Sequence, residues 1–285
     1  MKKVIVFPNR IKDVGLTYTK RVVDKMLSFG IGVCISNEHL DEKIENVCYY
    51  DTAPLDAELI VVIGGDGSVI DASRLALELD IPLLGVNLGK VGYLAVLDPD
   101  NIDSLSKIAS DEYIISNRML LCSDKLDVNG NVVRSDRLAV NDLIISRGSS
   151  PGIVDIKVES SSKDSVHLRC DGVVLATPTG TTAYSLSAGG PIVSVGLDSI
   201  TVTPICPHSF FDRSVIYSPD EVISVTNLTD SCLNISIDGR SCDSLSLGET
   251  CRVYKSSTKI KMLSLEDANI FSTLTKKIKI MHDLV

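Results

Sequence analysis

The chain has 285 residues, enough for two domains, or one large one, with a substantial hydrophobic core. Hydrophobic residues make up 44% and charged residues 23% of the sequence, as in ordinary globular proteins, and no apolar run approaches the roughly 18 residues of a transmembrane helix. The net charge of −9 argues against a nucleic acid or an anionic membrane as the main partner, although it excludes no small anionic ligand.

Residues 1–110 alternate between predicted strands and helices. Val23, Met26 and Leu27 recur at helical spacing and predict a helix at 16–29. Strands are predicted at 3–7, 33–35, 59–63 and 82–86. A helix with an apolar stripe from Val69 to Leu79 follows the third strand, and a short helix is predicted at 99–110. This alternation predicts a doubly wound α/β domain that binds ligands at the carboxyl ends of its strands.

The rest of the chain is predicted to be rich in β-strand. Asn129-Gly130, between two β-branched runs, predicts a type I′ hairpin. We expect a larger, mostly antiparallel β domain at 111–265 and a helical or mixed C-terminal segment at 266–285, which can return to the first domain. The predicted strands lie at 125–128, 132–134, 138–145, 153–158, 172–176, 199–203, 222–225, 233–237 and 251–254.

A glycine-rich loop, Gly64-Gly65-Asp66-Gly67-Ser68, follows the apolar strand at 59–63. Glycines allow a phosphate or sugar to approach backbone N–H groups closely, and Ser68 is predicted to cap the next helix. Asp66 is the only charge in the loop, so it needs a metal, a hydroxyl or a backbone nest as partner. The alternative is a tight turn in which the carboxylate is satisfied by its own backbone.

A second candidate segment, 177–191, is rich in hydroxyl groups and small residues. Thr181 or Thr182 is predicted to cap a short helix that ends at Gly189. Hydroxyls and helix N–H groups bind sugar hydroxyls and phosphates, whereas the alternative is a well-capped structural turn.

Two weaker candidates are pairs of residues at strand ends. Asn141 and Asp142 follow an apolar run, and strand neighbours point to opposite faces, so one can face a ligand while the other braces the loop. For this pair taken alone, a solvated turn is the favoured interpretation. Asp238-Gly239 reads as an ordinary hairpin turn.

Together these motifs resemble those of the NAD kinase family. Gly64-Gly65-Asp66-Gly67 resembles its phosphate-loop signature, Asn141-Asp142 its second motif, and 171–191 its third. Segments 204–208 and 237–239 also resemble family motifs and occur in the same order along the chain. The resemblance therefore runs from about residue 59 to 240. The glycine loop is shared with lipid kinases, and the Thr/Gly-rich third motif is much more specific.

The resemblance implies ATP-dependent phosphorylation of the 2′-hydroxyl of the adenosine ribose of NAD, giving NADP. It assigns Asp66 as the general base, and Mg²⁺ or another divalent metal would arrive with ATP rather than on a protein site. It implies a homo-oligomer, dimer or tetramer. The ATP phosphates are assigned to Gly64, Gly65, Gly67 and Ser68. The residues assigned to NAD are Asp66, Gly67, Asn141, Asp142, Arg169, Asp171, Thr182, Ala183, Tyr184, Ser185, Leu186, Ser187 and Asp238.

Three residues depart from the family pattern: Gly152 stands where a larger residue is common, Ser68 replaces a threonine but keeps the hydroxyl, and the third is Asp142. Asp142 stands where the family usually has glutamate, so its carboxylate reaches about one methylene less far, and its direct contact with ligand is in doubt.

Two other functions stay open at this point. A lipid or sphingoid-base kinase shares the glycine loop, but it would need a basic or apolar membrane-facing surface, which the charge of −9 disfavours. A non-catalytic dinucleotide sensor could use Asp66 on a ribose hydroxyl. The eight cysteines and four histidines are scattered, which indicates reduced thiols, a cytoplasmic location and no zinc site.

Overall fold

The computed structural model describes residues 2–39, 43–89, 92–149, 152–208 and 212–266. Its contacts divide the chain after Asn117 and after Lys259. Unit 1 contains the residues up to Asn117 together with those from Ile260 onward, and unit 2 is Arg118–Lys259. Of the C-terminal segment predicted at 266–285, only Glu266 is among the described residues, and 267–285 lie outside them.

Unit 1 is built around a parallel sheet. Its strands are β1 (Lys3–Pro8), β2 (Gly32–Ser36), β3 (Cys48–Tyr50), β4 (Leu59–Gly64), β5 (Leu83–Asn87) and β6 (Ala95–Leu97). They pair in the order β3-β2-β1-β4-β5, and β6 pairs with β5. The helices are α1 (Thr17–Ser28), α2 (Asp66–Leu79) and, after a 3-10 helix at Pro99–Leu105, α3 (Ser106–Ala109). The predicted α/β alternation is confirmed.

The order of these strands determines where a ligand can bind. β4 is buried along its whole length, as expected for a parallel strand covered on both faces. Val23 and Met26 of α1 and the late residues Leu263 and Leu265 contribute to the same apolar core. The strand order reverses between β1 and β4, and the crevice at the carboxyl ends of such neighbours is the usual ligand position in open α/β sheets.

Unit 2 contains two antiparallel sheets. Its elements are β7 (Ile114–Leu126), β8 (Val132–Ala139), β9 (Asp142–Ser146), β10 (Val154–Ser160), β11 (Ser165–Cys170), β12 (Gly172–Ala176), α4 (Tyr184–Ser187), β13 (Ile200–Ile205), β14 (Val215–Tyr217), β15 (Ile223–Asn227), β16 (Leu233–Ile237), β17 (Arg240–Leu245) and β18 (Thr250–Ser264). One sheet has the order β14-β13-β12-β9-β16-β17, and the other runs β11-β10-β15-β18-β7-β8. Side chains of both sheets, among them Leu121, Ile145, Ile156 and Val173, share one apolar core. The predicted antiparallel β domain is confirmed.

Two local predictions in unit 2 are wrong. The single strand predicted at 138–145 is interrupted between β8 and β9. The hairpin at Asn129-Gly130 exists, but only Gly130 has a positive φ, of 83°, so the turn is not type I′. Instead the Asp127 carboxylate accepts the N–H groups of Asn129 and Asn131 at 2.9 and 2.8 Å and closes a longer loop.

Candidate active site

The glycine loop lies at the carboxyl end of β4. Gly64 ends the strand and Gly65 is the N-cap of α2, so the helix begins inside the loop. Ser68 is therefore within the first turn, and the prediction that it caps α2 is wrong. Its N–H donates to the Gly65 carbonyl at 2.9 Å, and its hydroxyl accepts from Nδ2 of Asn9 at 2.7 Å. A Cβ on Gly64 would lie 2.7 Å from that of Ser68, so this close approach requires glycine.

The Asp66 carboxylate is held by backbone amides of another loop. Oδ2 accepts the Tyr93 N–H at 2.9 Å, and Oδ1 accepts those of Leu94 and Ala95, both at 3.0 Å. A Cβ on Gly92 would overlap Oδ1, so this loop can close on Asp66 only with glycine there. The partner of Asp66 is therefore a backbone nest, and its donors come from far along the chain rather than from its own turn.

In unit 2, a bend between β8 and β9 carries Asn141 and Asp142. The Asp238 carboxylate accepts the N–H groups of Val140, Asn141 and Asp142 at 2.9, 2.7 and 3.2 Å. Asp238 (φ 49°) and Gly239 (φ 78°) form the two-residue turn between β16 and β17, with the positive φ values of a type I′ hairpin. This apparently ordinary turn thus fixes the bend.

Asn141 and Asp142 have different surroundings. Asp142 is only 3% exposed, and its burial raises the pKa of its carboxyl to about 7, with the negative charge of Asp238 adding to the effect. A hydrogen bond from the Tyr184 N–H acts in the opposite direction. The Asn141 side chain is half-buried, and its carboxamide has no hydrogen-bond partner in the described part of the chain. It is therefore available to a ligand.

The hydroxyl-rich segment begins against this bend. The Thr177 N–H donates to the Asn141 carbonyl at 2.9 Å, and the Thr177 hydroxyl donates to the Val140 carbonyl at 2.7 Å and accepts the Gly180 N–H at 3.0 Å. A Cβ on Gly180 would overlap the Asn141 carbonyl group. The turn and the bend are thus packed together as one rigid element.

The predicted threonine caps are wrong. The Thr181 hydroxyl donates to the Pro178 carbonyl at 2.7 Å, and the Thr182 hydroxyl donates to the Thr179 carbonyl at 3.1 Å. The helix α4 begins after Ala183 without a side-chain cap. Thr182 and Ala183 are both half-buried.

The residues of α4 face in two directions. Tyr184 and Leu186 are 46% and 38% exposed, and Ser187 is also exposed. Ser185 is fully buried, and its hydroxyl lies 3.1 Å from that of Thr203 on β13. The exposed side chains can meet a ligand, while Ser185 anchors the helix to the sheet.

Arg169 and Asp171 lie at the other end of β12 from Thr177. With five strand residues between them, Asp171 and Thr177 are about 20 Å apart. Asp171 accepts the Nε of Arg147 at 3.1 Å, and the exposed Arg169 has its Nε 3.4 Å from Oδ1 of Asp155. The structure therefore does not bring these two predicted residues to the bend.

Comparison with known proteins gives the family. The model of the ATP-NAD kinase N-terminal domain matches residues 4–113, and that of the ATP-NAD kinase C-terminal domain matches 140–265. The chain is 35% identical to the NAD kinase of Caldanaerobacter subterraneus subsp. tengcongensis, over 98% of this chain and 99% of that protein. It is 34% identical to the NAD kinase of Acetivibrio thermocellus, over 98% of this chain and 97% of that protein. The chain belongs to the NAD kinase family.

Solved structures of an NADH kinase and of an NAD kinase share the fold. Yeast NADH kinase complexed with NADH is 23% identical and superposes with a TM-score of 0.82, covering 98% of this chain and 88% of that one. An NAD kinase from Archaeoglobus fulgidus in complex with ATP is 24% identical, with a TM-score of 0.74 and coverage of 97% and 99%.

Sequence reasoning missed several residues that lie beside the glycine loop. Asn9 and Lys12 follow β1, and a polar Asn directly after an apolar strand was the available signal for them. The donors of the nest at Tyr93–Ala95 are backbone groups that any sequence supplies, and Gly92, which allows this loop to close on Asp66, was the available signal for it.

Two negative findings apply to the described residues. No helix there is long and apolar enough to cross a membrane. No group of three or more His, Cys, Asp or Glu side chains in those residues is arranged to hold a metal ion.

Proposed function

We propose that this protein is an NAD kinase that transfers the γ-phosphoryl group of ATP to the 2′-hydroxyl of the adenosine ribose of NAD. The observation that carries the proposal is the Asp66 carboxylate, fixed by three amides at the start of α2 within the glycine loop. A bond forms between the 2′-oxygen and the γ-phosphorus, the bond from that phosphorus to the β,γ-bridging oxygen breaks, and ADP leaves.

The hydrogen bonds to Asp66 support one of its two oxygens as the proton acceptor. An ionised carboxylate has about four acceptor positions, two on each oxygen. Oδ1 already receives the Leu94 and Ala95 amides, whereas Oδ2 receives only that of Tyr93. We therefore assign the removal of the 2′-hydroxyl proton to Oδ2. Because the three amides fix the carboxylate, it needs little reorganisation during the transfer.

Residues of unit 2 are proposed to hold NAD. The Asn141 carboxamide is free to bond a ribose hydroxyl, and the exposed ring of Tyr184 offers a stacking surface for a base. Asp238 acts indirectly, because its carboxylate holds the backbone that presents Asn141. Arg169 and Asp171 remain candidates for the nicotinamide half, and their separation from the bend suits an extended dinucleotide better than a mononucleotide.

The remaining parts of the proposal concern the metal, the assembly and the location. A divalent cation such as Mg²⁺ is assigned to the phosphates of ATP, where it offsets the repulsion between Asp66 and phosphate charge. The protein is proposed to act as a dimer or tetramer. The eight cysteines are free thiols, which supports a reducing compartment such as the cytoplasm.

The decisive experiment measures NADP formation from NAD and Mg·ATP through an NADP-specific coupled dehydrogenase. The Asp66→Asn variant is expected to lower kcat by about 10² to 10⁴ while it retains NAD binding by calorimetry. Glu78→Gln, which removes an exposed carboxylate from the last turn of α2, is the matched control and is expected to leave kcat unchanged.

Two results would overturn the proposal. If the wild-type protein binds NAD but makes no NADP, the protein is a dinucleotide sensor or uses another phosphoryl donor. If it neither binds NAD nor turns over, no part of the proposal stands.

A further inference from the structure

The loop that follows β1 is fixed against the glycine loop. The Asn9 carboxamide oxygen accepts the backbone N–H groups of Ile11 and Lys12 at 3.1 and 3.0 Å, while its Nδ2 donates to the Ser68 hydroxyl at 2.7 Å. One side chain thus shapes the turn that carries Lys12 and joins it to the first turn of α2.

A second anchor holds the far end of the same loop. The buried Asp13 carboxylate accepts the N–H groups of Tyr18 and Thr19 at 3.0 and 2.7 Å and the Thr19 hydroxyl at 2.6 Å. Its own N–H donates to the Asn9 carbonyl at 2.9 Å. Lys12 is therefore exposed on a turn whose backbone is restrained on both sides.

The Lys12 ammonium lies directly against the glycine loop. A Cβ on Gly65 would be 2.6 Å from Nζ, and one on Gly89, after β5, would be 3.8 Å from it. The absence of a side chain at Gly65 leaves the space that the ammonium occupies. This position is at the switch point between β1 and β4, where α/β sheets bind ligands.

The charges around the Lys12 ammonium favour the binding of an anion. Within the described part of the chain the Lys12 ammonium has no carboxylate partner, and both oxygens of Asp66 are turned to the amides of 93–95. The N-terminus of α2, beside the ammonium, carries further positive charge on its unpaired N–H groups. An anion placed between the ammonium and the helix N-terminus would interact favourably with both.

We infer that Lys12 binds the β- and γ-phosphates of ATP and positions the γ-phosphoryl group at the glycine loop. This inference rests on the proposed kinase function and adds a residue to it. The ammonium supplies one charged contact to the phosphates, and Asn9 keeps it in place.

The test uses the full-length protein with Lys12→Met, Lys12→Arg and Lys163→Met. Calorimetry gives the affinities for ATP, ADP, AMP and NAD, and the melting temperature checks folding. Lys12→Met is expected to weaken ATP about 10- to 100-fold and to leave AMP and NAD unchanged, because only the outer phosphates lose a charged partner. Lys12→Arg is expected to restore most of the affinity. Lys163→Met, in the exposed β10–β11 turn, controls for the loss of one positive charge.

The outcomes separate this inference from the proposed function. Unchanged ATP affinity in Lys12→Met overturns the inference even if the wild-type protein makes NADP. An equal loss of affinity for ATP, AMP and NAD also overturns it, because it indicates damage to the loop rather than a phosphate contact. If the wild-type protein makes no NADP, the proposed function fails, and the binding of ATP, ADP and AMP still reports on Lys12.

Discussion

Asp142 is expected to make the stability of the ligand-free protein depend on pH. Its pKa is raised from 3.8 to about 7, chiefly by burial and then by the charge of Asp238, so folding favours the protonated carboxyl. The contribution of this carboxyl to the free energy of unfolding is fully present below about pH 4 and is lost as the pH rises through about 7. The pKa difference corresponds to about 4 kcal/mol, since each pKa unit is worth about 1.4 kcal/mol.

Asp142→Asn mimics the protonated form at every pH. We expect the unfolding free energy of the variant, relative to wild type, to increase by up to about 4 kcal/mol between pH 4 and pH 8. This difference in unfolding free energy is measured by urea denaturation at each pH. Circular dichroism is the signal, because the chain has no Trp for fluorescence. Asp220→Asn, at an exposed carboxyl, gives the baseline for losing one negative charge. A difference that stays constant with pH would refute the reasoning.

Three further substitutions test the packing described above. Gly92→Ala would drive a methyl group into Oδ1 of Asp66, so NADP formation is expected to fall at least about 10²-fold with little change in KM for NAD. Gly180→Ala would overlap the Asn141 carbonyl; urea denaturation is expected to show a loss of about 1–3 kcal/mol, and calorimetry a weaker affinity for NAD. Asp13→Ala removes the acceptor of two amides and a hydroxyl at the start of α1, and a loss of about 2 kcal/mol is expected in the same denaturation assay. Unchanged kcat, unchanged NAD affinity or unchanged stability, respectively, would contradict these expectations.

The fold could be predicted from sequence wherever local pattern and burial agree. The apolar run of β4 and the helical spacing of Val23 and Met26 gave the correct elements, because both faces of a parallel sheet and one face of a helix must be apolar. Edge strands such as β3 and β14 are short and half-exposed, so their sequences carry little of this signal.

The parts of the site that were missed depend on partners far away in the chain. The break between β8 and β9 is produced by Asp238, about a hundred residues later, and no local pattern near Asn141 reveals it. The prediction that Ser68 caps α2 was wrong because the helix starts earlier, at the glycine loop itself. A type I′ turn was predicted at Asn129-Gly130, but the positive φ at both turn residues that this type requires is found at Asp238-Gly239, which was read only as an ordinary turn.

The path of β18 has a consequence for how the chain is made. Leu263 and Leu265 belong to the core of unit 1, whose other members come from the first 110 residues. Both leucines follow Lys259 in the sequence, so the core of unit 1 can be completed only after the whole of unit 2 has been synthesised. The N-terminal sheet therefore cannot reach its final packing while only the first 110 residues have been made, although domains at the N-terminus of a chain generally fold first during synthesis.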